Sequence, residues 1–298
     1  MNQPPSSPPA PVRLTHRAVL SVEGVDAASF LNGLLTQSTL DLRPGERRYA
    51  ALLTPQGKVI SDLILEASPG RQPAFLLDVD AAAAPALLKR LQMFRLRAAV
   101  TIDARDDLSI LAFAGPEAGG AADPRSPDSV LGAPRRAFAP ADAASAGDLT
   151  HYHAARIAAG VAEQGADFGP EDVFPADINM DLLNGVDFRK GCFVGQEVVS
   201  RMKRRGTARR RTLLARLPEG APATPAPILS GETEIGTLTS AIDGMGLARA
   251  RIDRLAAASV FTAGGKALTL DRPDWLGVEL EALKESKSGA GGPGPALF

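Results

Sequence analysis

Cysteine is nearly absent from this sequence. The 298 residues include one, Cys192. A disulfide within the chain is therefore excluded, and so is an iron–sulfur cluster held by four thiolates of this chain alone. Aromatic residues make up only 5%, so Leu, Val, Ile and Ala must build the core. No stretch approaches the ~18 apolar residues of a membrane helix. The opening residues lack the basic and apolar regions of a secretory signal. The three histidines, His16, His151 and His153, come with no carboxylate at ligand spacing, so no intrinsic metal is expected. Neither charge is in excess: 33 Lys and Arg face 34 Asp and Glu. A nucleic-acid or membrane partner would need a local patch. A lone thiol fits a reducing compartment; the expected location is the cytoplasm, with an organelle matrix as the second choice, because the first twenty residues lack acids and carry Ser6, Ser7, Arg13 and Arg17.

What is present reads as α+β. Arg17–Glu23 has the pattern of a strand, ended by Gly24. Asp26 can cap a helix reaching about Leu35, with Phe30, Leu31, Leu34 and Leu35 on one face. Two strands flank the turn Thr54–Lys58 and form a hairpin, and Ala74–Val79 is a further strand. Pro85 suits a first helical turn, followed by Leu87, Leu88, Leu91 and Phe94 at helical spacing. Strands are expected again at Val100–Asp103 and Leu108–Phe113. Gly115–Pro134, rich in Gly, Ala, Pro and Ser, reads as a long surface loop. After Arg211 short strands separated by Gly, Pro and Asp indicate a small β domain. The expected division is a disordered tail (1–12), an α+β region (13–208), a β-barrel domain (209–284) and a second tail (285–298).

The chemistry concentrates between Asp187 and Gly206. Gln196–Arg205 contains no helix breaker, Glu197 falls in the first turn and cations fill the last, as a helix dipole favours. Cys192 lies on the turn entering that helix, bracketed by Gly191 and Gly195, with Arg189 and Lys190 beside it. Such surroundings lower a thiol pKa from about 8.5 toward roughly 3.5–7.5. The thiolate could attack sulfur or bind a soft metal. The competing reading is a small buried core residue. Because one thiol cannot hold a cluster, a cluster role would make Cys192 a single ligand in trans or a sulfur-chemistry group.

The octapeptide Lys190-Gly-Cys-Phe-Val-Gly-Gln-Glu197 resembles the K-G-C-[YF]-x-G-Q-E signature of the YgfZ family, relatives in fold of the glycine-cleavage T-protein. Gly24–Thr36, Leu52–Lys58, Arg95–Ala98, His153–Gly160, Gly236–Ser240 and Gly246–Ala250 are similar to other pieces of that family, in order. The resemblance implies a T-protein-like ring of ferredoxin-like modules with a C-terminal β-barrel and a central folate-sized hole. It implies tetrahydrofolate as cofactor and a role in assembly or repair of [4Fe-4S] proteins, radical-type tRNA-modifying enzymes included. Implied partners are iron–sulfur proteins, their assembly machinery and folate. Carried onto this chain, Cys192, Lys190, Gln196 and Glu197 form the working group. Arg156, Gly191, Gly195 and Arg201 contact the cofactor.

Two departures stand out. The Arg-x-Glu-x-Gly element that sets an acid against the pterin reads Arg156-Ile-Ala-Ala-Gly160, with Ala158 in the acid's place. The T-protein's catalytic Asp aligns with Pro85, with only Asp78 and Asp80 nearby. That argues against a classical enzyme and makes a folate-dependent one-carbon transferase the second reading. A third is an RNA-binding module using the seven basic residues of Arg201–Arg211. A solvated helix end accounts for that run more simply, and the aromatics of a single-strand RNA site are missing.

Overall fold

Alternating apolar residues build two sheets in the first part of the chain. The computed structural model describes residues 10–113, 119–125, 134–206, 208–255 and 260–287. Most of both expected tails and much of the 115–134 loop lie outside those residues. The elements begin with β1 (Val12–Arg13), β2 (Arg17–Glu23), α1 (Ala27–Leu34), β3 (Arg47–Leu53) and β4 (Val59–Ser68). They continue with β5 (Ala74–Asp80), α2 (Ala84–Phe94), β6 (Thr101–Ala104), β7 (Leu108–Phe113), β8 (Ala121–Ala122), β9 (Arg135–Pro140) and α3 (Leu149–Ala158). An antiparallel sheet runs β3-β4-β5-β2-β6, and a second runs β1-β7-β9-β8.

The period of two decides what each face of the first sheet meets. Ala50, Leu52, Leu63, Leu65, Leu77 and Leu20 pack with Leu31 of α1, Leu35 just past its end, and Leu87 and Leu91 of α2. The opposite face carries Tyr49, Asp62, Asp78 and Arg17, all buried. Asp26 does not cap α1 through its side chain; its Oδ2 accepts from the Ala99 amide at 2.8 Å instead. Gly24 is there for the same close approach: a Cβ would lie 2.1 Å from the Ala99 carbonyl oxygen.

The polar face holds an ion network. Asp78 accepts from Arg17 Nε at 2.6 Å and from Arg136 Nη1 at 2.6 Å. Asp123 accepts from Arg125 and Arg136. Glu163 accepts from Arg136 at 2.6 Å, from Arg125 at 3.2 Å and from the Tyr152 hydroxyl, and lies 2.7 Å from His16 Nε2. Here the surface-loop reading of Gly115–Pro134 is corrected: Asp123 and Arg125 are 1% exposed. Their mutual ion pair neutralises them, and Glu163 and Arg136 add further bonds, so a polar segment can enter the interior.

Beyond α3, a 3-10 turn (Pro175–Ile178) and irregular chain lead to α4 (Gln196–Arg205). The remainder comprises β10 (Arg210–Arg216), β11 (Ala226–Ser230), β12 (Thr233–Ile242), β13 (Met245–Arg251), α5 (Ile252–Leu255), β14 (Phe261–Ala263), β15 (Lys266–Leu270) and α6 (Asp274–Lys287). The six strands close a barrel in the order β10-β13-β12-β11-β14-β15. Leu213, Ile228, Ile235, Leu238 and Phe261 fill it, with Leu276 of α6 against them. The barrel is bonded to the first part. Thr212 Oγ1 donates to the Asp177 carbonyl, and Asn179 Nδ2 donates to the Thr212 carbonyl. Asp167 accepts from Arg156, Thr239 and Ser240. The α6 helix was not foreseen. Its Glu279 accepts from Arg211, which also pairs with Asp181 at 2.6 Å.

Burial by itself would raise the Glu163 carboxyl, but Arg136, the His16 bond and Arg125 outweigh it and hold it well below the usual range. Asp123, under the same opposition of burial against Arg125 and Arg136, falls to about 2. For depressed carboxylates the stabilisation is full above the unfolded pKa, near 4, and is lost as pH falls through the folded value. Glu163→Gln is expected to cost about 3–5 kcal/mol in urea unfolding at pH 7 and to flatten the loss of stability below about pH 4. A cost under ~1 kcal/mol would show that the network is not a structural tie.

Candidate functional site

Cys192 sits on a turn whose conformation is imposed from both sides. On one side, Asp187 Oδ1 accepts from the amides of Arg189 and Lys190 at 2.9 and 3.2 Å. The Asp187 amide donates to the Thr36 carbonyl at 2.9 Å. Thr36 Oγ1 donates to the Gly185 carbonyl at 2.7 Å, and Gln37 Nε2 to that of Asn184 at 2.8 Å. Lys190 then crosses to the end of α1. Its Nζ donates to the carbonyls of Asn32 and Leu35 at 2.6 Å and of Gln37 at 3.2 Å. An α-helix leaves its last carbonyls unsatisfied, and Lys190 supplies donors for them.

On the other side, Phe193 is buried among Leu53, Val199 and Ile178, and Val194 packs on the core under the first sheet. Gly195 starts α4 at φ +79°, and a Cβ there would meet the Thr54 carbonyl oxygen at 2.5 Å. Gly57, at φ +81°, leaves room for Val198, which a Cβ would approach to 3.1 Å. The N-terminus of α4 therefore rests on the hairpin turn Thr54–Lys58, through two glycines that no other residue could replace without strain. Gly206 ends α4 in the left-handed conformation, as its position in the sequence predicts.

Between these anchors the thiol of Cys192 is exposed. That removes the reading of a buried core cysteine. Gly191 is exposed with open space around it, and Glu197 is exposed on the first turn of α4 beside half-buried Gln196. Lys190 acts as a strut between the turn and α1. An ammonium has three N–H donors, and the three carbonyls of the α1 end take them up. Burial lowers its pKa to about 8, with Asp187 acting in the other direction. Sequence reasoning missed Asn32, Thr36, Gln37 and Asp187 as holders of the turn. The first three lie in or beside Gly24–Thr36, a segment whose family resemblance was the available signal.

The residues assigned to folate lie in different surroundings. Arg156 is 2% exposed and all three nitrogens of its guanidinium are bonded within the protein. It donates to Asp167 at 2.6 Å, to the Val161 carbonyl, to Ser240 Oγ and to His153 Nδ1. Ala158 is an exposed, apolar residue at the end of α3. The space beside Gly195 is taken by Thr54, and Arg201 is exposed on α4. A cavity of about 280 Å³ lies elsewhere, between the β1–β7 edge and α3, lined by Val12, Phe113, Pro134, Asp148, His151 and Tyr152. Among the described residues no group of three His, Cys, Asp or Glu could hold a metal. The site thus offers one accessible thiol on a fixed turn: a single soft ligand or a sulfur nucleophile.

Lys190→Met is expected to lower stability by about 1–3 kcal/mol, the cost of stranding carbonyls, and to speed amide exchange over residues 187–192. The pH profile of Cys192 alkylation should not move. An altered profile with unchanged stability would return Lys190 to the thiol.

Comparison with known proteins supplies the lineage. The family described as "GCVT N-terminal domain" matches residues 13–132, and "CAF17, C-terminal beta-barrel domain" matches residues 209–278. An iron–sulfur cluster assembly factor IBA57 homolog, mitochondrial, of Neosartorya fischeri is 32% identical over 288 residues, covering 80% of this chain and 63% of the relative. The protein of the same name from Phaeosphaeria nodorum is 31% identical, covering 85% of this chain and 72% of the relative. The chain thus spans less than two thirds of the Neosartorya protein. The crystal structure of the glycine cleavage system aminomethyltransferase T from Bartonella henselae superposes with a TM-score of 0.70 at 18% identity, over 89% of this chain and 86% of that one; this establishes the fold. The expected cytoplasmic location is overturned, because these relatives are named as mitochondrial. A lone thiol fits any reducing compartment and could not make that distinction. With a GCVT-like first part, a CAF17-type barrel and these relatives, the chain belongs to the YgfZ/IBA57 family.

Proposed function

We propose that this protein acts in iron–sulfur cluster assembly, with Cys192 as its working group. The observation that carries the reading is the exposure of the chain's only thiol on a turn pinned at Lys190 and Gly195. The names of its relatives agree with it. One thiolate supplies one of the roughly four ligands a cluster needs, so a partner provides the others, and Cys192 serves in trans. Gln196 and Glu197 flank the thiol and shape its approach. The beneficiaries in this reading are [4Fe-4S] enzymes, radical-type tRNA-modifying ones among them.

Tetrahydrofolate is not needed by this proposal. The fold is that of a folate-using enzyme, but Arg156 is locked to Asp167 and Ala158 offers no hydrogen bond from its side chain. The one-carbon-transferase reading meets a further obstacle. Pro85 lies in the first turn of α2, Asp78 is held by Arg17 and Arg136, and Asp80 Oδ2 accepts from the Ala83 amide at 2.9 Å. The acids near the reacting position are thus engaged in holding the fold.

The test is complementation of cells lacking their own copy. Cys192→Ala should fold with stability within about 0.5 kcal/mol of the parent, as a change at an exposed position does. It should nevertheless fail to restore the activity of a [4Fe-4S] enzyme. Full restoration by the variant would contradict the proposal.

A further inference from the structure

The exposed cations of α4 and its flanks have no carboxylate partner among the described residues, and α4 is the helix that follows the Cys192 turn. Between Arg189 and Arg210 there are seven exposed basic residues: Arg189, Arg201, Lys203, Arg204, Arg205, Arg209 and Arg210. Glu197 is the single acid in that span. Among the described residues none of the seven is in ion-pair contact with a carboxylate. Elsewhere twelve arginines are so paired. In a chain of net charge -1, this is a local concentration of positive charge.

The helix sets its direction. Arg201, Arg204 and Arg205 are spaced three and four apart, which brings them onto one face. They line a depression of about 270 Å³. Like charges around a concavity repel one another, and an anion seated there relieves that repulsion. The opposite face of α4 is committed to the interior through Val199 and to the Thr54–Lys58 turn through Val198. The arginine face is therefore free while the helix itself is fixed.

Two polyanions could meet this face, and the surroundings favour one. Single-stranded nucleic acid is held by base stacking on exposed aromatic rings. The aromatics of this segment are unsuited to that: Phe193 is buried and Phe188 lies under Lys203 Nζ, 4.1 Å from the ring centroid. A protein-bound [4Fe-4S] cluster with four thiolates is itself an anion, with a charge of about −2 in its oxidised form. We propose that the α4 face, led by Arg201, Arg204 and Arg205, is the docking surface for an acidic iron–sulfur protein, and that it delivers that protein's cluster region to Cys192. This rests on the assembly reading above and adds the class of partner. Complementary charge of this kind raises encounter rate and fixes orientation.

The test uses the full chain in cells deleted for their own copy, reading the activity of a [4Fe-4S] dehydratase at matched protein levels. The triple variant R201E/R204E/R205E is expected to lose at least tenfold of that support. R201K/R204K/R205K should retain half or more. Both should stay folded at the assay temperature by circular dichroism, with the Glu triple melting somewhat lower because it trades last-turn cations for acids. Both should also leave Cys192 open to complete alkylation by iodoacetamide, so that loss cannot be ascribed to misfolding or a hidden thiol. Undiminished support by the Glu triple overturns the docking surface. If Cys192→Ala is inactive in that case, the assembly reading stands without it. If Cys192→Ala is fully active, the assembly reading itself has failed. A 20-nucleotide single-stranded RNA provides the last arm. Submicromolar binding to the parent that the Glu triple abolishes would make the partner a nucleic acid and overturn the proposal.

Discussion

The carboxylate of Glu163 receives Arg125, Arg136 and Tyr152 on one oxygen and faces His16 on the other. Much of the architecture depends on that convergence. Arg136 comes from the second sheet, Arg125 from the segment after β8, Tyr152 from α3 and His16 from the turn before β2. Through Arg136 and Arg17 the network reaches Asp78 in the first sheet. Four residues on, Asp167 bonds the Glu163 amide and fastens Arg156, Thr239 and Ser240, and so engages the barrel. A buried charge without a partner costs several kcal/mol. The network therefore fixes how two sheets and a barrel sit together, because other arrangements would strand one of its members.

That interior holds the chain in one shape, and the site uses it as a rigid base. The Thr54–Lys58 turn projects from the first sheet, and Gly195 and Val198 rest on it. The end of α1 receives Lys190. The thiol between them is exposed, yet both neighbouring stretches are held to cores on either side of the sheet. Rigid presentation of an open group lowers the cost of ordering when a partner arrives. The same frame orients α4, so the arginine face and the thiol keep a constant relation.

Much of this could be read from the residues. Period-two burial gave the strands and the hairpin, and the absence of breakers from Gln196 to Arg205 with Gly206 beyond gave α4. The octapeptide located the exposed cysteine and the lineage. The rest depended on contacts far apart in sequence. Lys190 beside a cysteine reads as an activating cation, yet its donors reach carbonyls more than 150 positions earlier. Arg156 reads as a ligand contact, and nothing around it in the sequence announces its bonds to Asp167 and Ser240. Asp123 and Arg125 sit in a stretch with the composition of a surface loop, and only mutual neutralisation with Arg136 and Glu163 lets them be buried. Local pattern carries no trace of such pairings.

Because Cys192 is the chain's one thiol and is exposed, a reagent can address it alone in the native protein. The most direct measurement is therefore chemical. Protein alkylated with iodoacetamide, and a mock-treated sample, would be added to an anaerobic extract of cells lacking this factor, and recovery of a [4Fe-4S] dehydratase followed over time. The account predicts recovery with the mock-treated protein and none above background with the alkylated one. Equal recovery with both would contradict it.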